Sequence, residues 1–193
     1  MQAHDNPFAT DRVERLLTFN PAWADTSWPS IETRWQKLGR RATLTGRHGS
    51  GKTTFLDAWK KRLHQDGHES LDLFLNRENS TLDPKSWQAL AHCIGKTIIL
   101  DGEEQLSWIA RRKFYALTRD AHALLVTRHR ASKLPCLLHL DPAISLLDRC
   151  VQALAPDHYD ALRTHFPSWW HQTRGNIRES LLLCYDAVGD MHP

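Results

Sequence analysis

Apolar positions along the chain switch repeatedly between two periods. The stretch RRATLTG, 40–46, reads as a strand that ends in glycine. From 52 to 65, Phe55, Leu56, Trp59 and Leu63 fall on one helical face, and this helix should stop near Gly67. Alternation returns in HESLDLFLN, 68–76, as a half-buried strand requires. A short helix is expected over 84–94, followed by KTIILD, 96–101, a continuous apolar strand of the kind buried on both faces of a parallel sheet. Leu106, Ile109, Ala110, Phe114 and Leu117 then recur at helical spacing, and HALLVT (122–127) and LPCLLHL (134–140) are two further strands. Strands alternating with helices predict an α/β fold: a mainly parallel five-stranded sheet with right-handed crossovers.

The pattern changes at both ends. Residues 1–38 form an aromatic-rich leader carrying Phe8, Phe19, Trp23, Trp28 and Trp35, with short helical stretches around 10–18 and 29–38 broken by Pro21 and Pro29. Phe8 is expected to pack against the sheet. After residue 140 only helical periods remain. Asp141 followed by Pro142 looks like an N-cap with proline at the first helical position, and Ile144, Leu147, Val151 and Leu154 make the apolar stripe. A second helix is expected over 157–172. A third opens at Asn176, with Glu179 completing a capping box and Ile177, Leu181, Cys184 and Val188 inside. The expected division is a leader over 1–38, an α/β core over 39–140 and a three-helix segment over 141–193.

Composition narrows the function classes. With 193 residues, 41% hydrophobic and 24% charged, the chain is long enough for a sizeable core, and disorder is excluded as its main state. No apolar run approaches the ~18 residues of a membrane span, and no basic stretch followed by an apolar one opens the chain, so a cytoplasmic location is expected. A net charge of +3 does not by itself call for nucleic acid. The basic cluster of Arg111, Arg112, Lys113 and Arg119 reads as a solvated helix face. Cys93, Cys136, Cys150 and Cys184 are isolated, which argues against a zinc knuckle or a disulfide scaffold.

The strongest chemical signal is GRHGSGKTT, made of Gly46, Arg47, His48, Gly49, Ser50, Gly51, Lys52, Thr53 and Thr54. It fits the pattern GxxxxGK[ST] and stands between a predicted strand and a predicted helix. A glycine-rich turn of this kind exposes successive backbone N–H groups that wrap a phosphate at a helix N-terminus. Lys52 would bridge the β- and γ-phosphates, and the Thr53 hydroxyl would ligate Mg²⁺. The second signal is TIILDGEEQL, 97–106, an apolar strand tipped by Asp101. A carboxylate there can hold Mg²⁺ through water. Glu103 is the candidate general base, with Glu104 its rival.

The first stretch resembles a Walker A motif and the second a Walker B. A further strand intervenes, as in the P-loop NTPase class that includes the AAA+ and STAND ATPases; the compact bacterial ATPases of the ExeA and TniB type are similar in flavour. This resemblance covers about residues 38–189. It implies a P-loop NTPase three-layer sandwich with a C-terminal helical lid, and ATP and Mg²⁺ as cofactors. It also implies a polar sensor at Thr127 in LLVTRH and a second sensor at Arg178 in RGNIRES. Its activity would be ATP hydrolysis, coupled to a partner protein or to self-assembly. Arg128, Arg130 and Arg149 are the candidate arginine fingers. One departure stands out: Gly102 follows Asp101 where the class usually carries glutamate, which displaces the base. A small-molecule phosphotransferase on the same loop, or a nucleotide-dependent interaction protein that does not hydrolyse, are the alternatives.

Overall fold

The computed structural model describes residues 6–191. Two compact units divide the chain. One comprises the residues up to Asp25, Arg47–Phe55 and those from Asp141 onward; the other comprises Thr26–Gly46 and Leu56–Leu140.

The second unit is built on a five-stranded sheet: β1 (Arg41–Gly46), β2 (Ser70–Phe74), β3 (Thr97–Asp101), β4 (Ala123–Arg128) and β5 (Cys136–Leu140). The strand order is β2-β3-β4-β1-β5, and every pairing is parallel. These five strands are the expected ones, with ends moved by a residue or two. β2, which intervenes between the two motifs in sequence, lies at an edge. The strand standing between β1 and β3 is β4, so the central insertion comes from the later segment.

Parallel strands require connections that cover the sheet faces. On one face, α4 (Pro84–Ala91) contributes Leu90 and α5 (Trp108–Leu117) contributes Phe114, packed on Leu73, Ile98, Leu100, Leu124 and Val126. Ile99 and Leu125 alternate to the opposite face, as strand geometry dictates. Beyond that cluster, α2 (Trp28–Lys37) and α3 (Lys52–Gln65) are joined by Trp35 meeting Trp59 edge-on at 5.7 Å. Trp28 stacks on Trp59 at 6.1 Å, with the Arg62 guanidinium 4.8 Å from the Trp28 ring. Ser27 caps α2 by accepting from the Ser30 N–H, and Pro29 sits in its first turn, where its missing donor costs nothing. From α2, Arg34 donates to the Cys136 carbonyl on the outer strand β5 at 2.9 and 3.1 Å.

The first unit is helical: α1 (Thr10–Leu16), α6 (Ile144–Leu154), α7 (Tyr159–Leu162), α8 (Phe166–Gln172) and α9 (Ile177–Met191). Leu147, Val151, Leu162, Phe166, Leu181, Cys184 and Val188 form its core. Three expectations are corrected here. Phe8 is buried in this helical core and not against the sheet. The helix expected over 157–172 is interrupted, because Pro167 in the first turn of α8 cannot donate to residue 163; a 3₁₀ turn at Arg163–His165 takes the join. Asp141 does not cap α6, which starts after Ala143 without a side-chain cap. The carboxylate of Asp141 is occupied by Arg47, 2.8 Å away. Among the described residues, no helix is long and apolar enough to cross a membrane.

Candidate functional site

The glycine-rich loop leaves β1 at Gly46 and enters α3 at Lys52. Gly49 (φ 66°) and Gly51 (φ 89°) hold the left-handed conformation that a tight turn of backbone N–H groups needs. The Phe55 N–H donates to the Gly51 carbonyl at 2.9 Å, so Gly51 begins the helix, where N–H groups and the positive end of the dipole gather. Lys52 Nζ donates to the Arg47 carbonyl at 2.8 Å, folding the lysine back over its own loop. Ser50 is buried, and its hydroxyl has no hydrogen-bond partner among the described residues. Thr53 and His48 are exposed, and Thr54 is half-buried.

Within the same unit the loop is clasped by the turn between α8 and α9. Arg47 places one guanidinium nitrogen on Asp141 and donates another to the Arg174 carbonyl, both at 2.8 Å. That carbonyl is presented by two consecutive left-handed residues, Arg174 (φ 53°) and Gly175 (φ 75°). A side chain at Gly175 would lie 3.1 Å from the Arg47 guanidinium. Asn176 accepts from the Glu179 N–H at 3.3 Å, half of the anticipated capping box; the Glu179 carboxylate accepts from the Asn176 side-chain amide at 2.7 Å, while the Asn176 backbone N–H donates to the Thr173 carbonyl. The same Asn176 Oδ1 fills the space beside Gly49, where a Cβ would fall 1.7 Å from it. Arg178 is exposed in the first turn of α9.

Asp101, Gly102, Glu103, Glu104 and Thr127 gather in the sheet unit. Thr127, fully buried on β4, donates to Asp101 Oδ1 at 2.5 Å and accepts from the Gly102 N–H at 2.8 Å. Its hydroxyl therefore ties the tip of β3 to its neighbour and fixes the orientation of the Asp101 carboxylate. Gly102 is required here. It has φ 90°, and a Cβ would fall 2.2 Å from the Leu75 carbonyl oxygen.

Beyond Gly102 the chain makes a 3₁₀ turn, Glu103–Gln105, which turns the two glutamates to different partners. Glu103 is completely buried between Arg111 Nε and Arg128 Nε, each 2.8 Å from a carboxylate oxygen. Neither N–H is aligned for a hydrogen bond, so these contacts are ionic. Tyr115 donates to Glu103 at 3.3 Å, and burial, reinforced by the Glu103 charge, pushes the phenol up to about 12. Glu104 is half-buried; one of its oxygens is 3.0 Å from His129 Nδ1. Both Glu103 oxygens are engaged by guanidiniums, whereas Glu104 keeps one oxygen without a hydrogen-bond partner among the described residues.

Two groups of predicted residues are thus assembled, one in each unit. Sequence reasoning missed the Arg47 clasp, the second use of Asn176 and the Arg111–Glu103–Arg128 triad. Only Asn176 carried a local signal, as a cap.

No protein-family model and no curated protein matches the chain. Among solved structures it is similar to a chain in the structure of Drosophila ORC bound to DNA. The identity is 14% and the TM-score 0.50, and the match covers 93% of this chain and 59% of that one. This chain therefore spans less than two thirds of that neighbour, and the likeness is one of fold. The fold is a P-loop NTPase-like α/β sandwich on an all-parallel five-stranded sheet.

Two substitutions test the sheet unit. Gly102→Ala should destabilise by ~1–3 kcal/mol, the cost of a left-handed non-glycine residue with a close contact, and lower Tm by several degrees in calorimetry. Glu103→Ala should cost ~3–5 kcal/mol in urea unfolding because it leaves two guanidiniums without their shared anion. A Glu103→Ala midpoint equal to the parent's would refute the triad's structural role.

Proposed function

We propose that the chain binds ATP with Mg²⁺ at the Gly46–Thr54 loop and hydrolyses it, coupling nucleotide state to a partner protein. The observation that carries this reading is the Thr127 hydroxyl joining Asp101 to Gly102. The strand bearing Thr127 adjoins both β3 and β1, and β1 is the strand that leads into the glycine loop. Ligands of open parallel sheets bind outside the carboxyl ends of the strands, and Asp101 is the last residue of β3 at that end.

The residues suit the ligands. Left-handed Gly49 and Gly51 and the unpartnered Ser50 hydroxyl offer donors to an oxyanion. The Thr53 hydroxyl and the Asp101 carboxylate are the hard oxygen donors that Mg²⁺ prefers. Mg²⁺, when bound, supplies neutralisation of charge across the phosphate oxygens. Lys52 leaves the Arg47 carbonyl and pairs with the β- and γ-phosphates. Thr127 keeps the Asp101 carboxylate aimed. Glu104 accepts the proton of the attacking water, and Arg178 senses the γ-phosphate from the first turn of α9.

Nucleic acid does not enter this proposal, although the ORC neighbour is bound to DNA. Arg111 is committed to the buried Glu103, and the Lys113 ammonium lies 4.5 Å from the Trp87 ring, so the cluster is not four cations all turned to solvent. Trp108 and Ile109, exposed side by side at the start of α5, favour a protein partner.

A second reading, nucleotide binding without hydrolysis, is favoured by the burial of Glu103 in its ion pairs. Titration and turnover separate the two. Lys52→Ala should lose at least about tenfold in ATP affinity while Tm stays within a degree or two of the parent's, since one charge-assisted contact is removed. Equal affinity would dismiss the loop assignment. Glu104→Gln should bind ATP normally and turn over ~10²–10⁴-fold more slowly. A parent protein that binds ATP but shows no turnover would establish the second reading.

A further inference from the structure

Three of the four crossovers in the sheet carry a helix, and the last does not. α3 joins β1 to β2, α4 joins β2 to β3 and α5 joins β3 to β4, but only residues 129–135 lead from β4 to β5. β4 and β5 flank β1 and run parallel to it, so this segment returns the length of a strand across the β1 face. Parallel crossovers ordinarily take a dozen or more residues, usually with a helix. The register pairs Thr43 with Val126 and so sets Thr43 on the face that α4 and α5 cover over the other strands. Over β1 and β5 that face has a strap where a helix would normally lie.

Beneath the strap is a cavity of about 410 Å³, within the ~300–1,000 Å³ of small-molecule sites. Thr43 and Thr45 from β1 and Cys136 and His139 from β5 line it, together with His129 and Arg130 from the strap. Polar residues at Thr43 and Thr45 are unusual for a strand with neighbours on both sides, where apolar side chains are the rule. The floor is ordered: Thr45 Oγ1 lies 2.9 Å from His139 Nδ1 and 3.3 Å from Cys136 Sγ, and Thr43 donates to the Pro135 carbonyl at 3.4 Å. Among the described residues no aspartate or glutamate lines the cavity, and Leu134 and Ala131 give it an apolar side. No group of three His, Cys, Asp or Glu side chains among the described residues is placed to hold a metal ion.

We propose that this cavity binds a small organic anion, its oxyanion met by Arg130 and His139 and its apolar body by Leu134 and Ala131. The lining supplies only cationic or neutral donors, so an anion gains contacts there that a neutral isostere does not. Occupancy reaches beyond the cavity, because His129 also contacts Glu104 at 3.0 Å. The binding site stands independently of the nucleotide reading.

Cys136 reports on the site directly, since the other three cysteines are buried. In the full chain, alkylation of Cys136 by iodoacetate and by iodoacetamide is followed by mass spectrometry, with a short neutral cysteine peptide as reference. The iodoacetate-to-iodoacetamide rate ratio should exceed the peptide's by about tenfold, the effect of one charge-assisted contact. Benzoate and phenyl phosphate should protect Cys136 saturably and benzamide should not; protection by one anion alone identifies carboxylate or phosphate as the preferred group. Arg130→Gln, on an exposed loop position, should return the ratio towards the peptide's while the fold is retained. A ratio at or below the peptide's, or equal protection by benzamide and benzoate, would overturn the proposal. If neither reagent reaches Cys136, calorimetric titration of benzoate into parent and Arg130→Gln decides: binding weakened by the substitution upholds it, and no binding to the parent refutes it.

Discussion

A carboxylate with no exposure to water sets the terms for the sheet unit. The ionised side chain of Glu103 cannot be buried without compensation, and compensation comes from α5 through Arg111 and from β4 through Arg128. Two elements are thereby held to one turn. Because that turn follows Asp101 directly, the pairing also governs where Asp101 and Glu104 stand. Gly102 makes the geometry possible: only a residue without a Cβ can take a left-handed φ against the Leu75 carbonyl and deliver the next side chain inward. The glycine that interrupts the expected Asp–Glu pair is a condition for burying the glutamate that follows it.

In the helical unit a comparable economy centres on Arg47 and Asn176. Asn176 ends one turn, starts α9 and occupies the space that the absent side chain of Gly49 leaves. Arg47 holds Asp141 and the Arg174 carbonyl together. Any displacement of the glycine loop within this unit therefore has to exchange these contacts, which are partly exposed and individually modest. A loop whose clasp is made of modest contacts can be rearranged by a ligand that binds it well.

Much of the fold was legible because its signals are local. Continuous apolar runs marked β3 and β4, and the glycine loop was evident from spacing alone. The departures share one cause: a partner distant in sequence. Asp141 next to Pro142 has the form of a helix cap, yet its carboxylate goes to Arg47. Phe8 gave no indication that its neighbours would be Leu147 and Val188 and not the sheet. Arg128 was a candidate arginine finger, and its pairing with Glu103 emerges only once β4 lies beside the turn after β3. Pro167 is the exception, since it carried a local warning that the apolar periodicity over 157–172 outweighed.

The two outer strands of the sheet differ in how they meet the solvent. On β5, the fork of Arg34 takes the Cys136 carbonyl, an acceptor that another chain's backbone would otherwise use. β2 has no such cover, but it is short, and Asp72 projects from its middle with Lys60 3.7 Å away. Brevity and charge discourage the addition of a further strand as effectively as a capped carbonyl does. The sheet is thus guarded against intermolecular growth by separate means on its two sides, and removing one guard leaves the other in force.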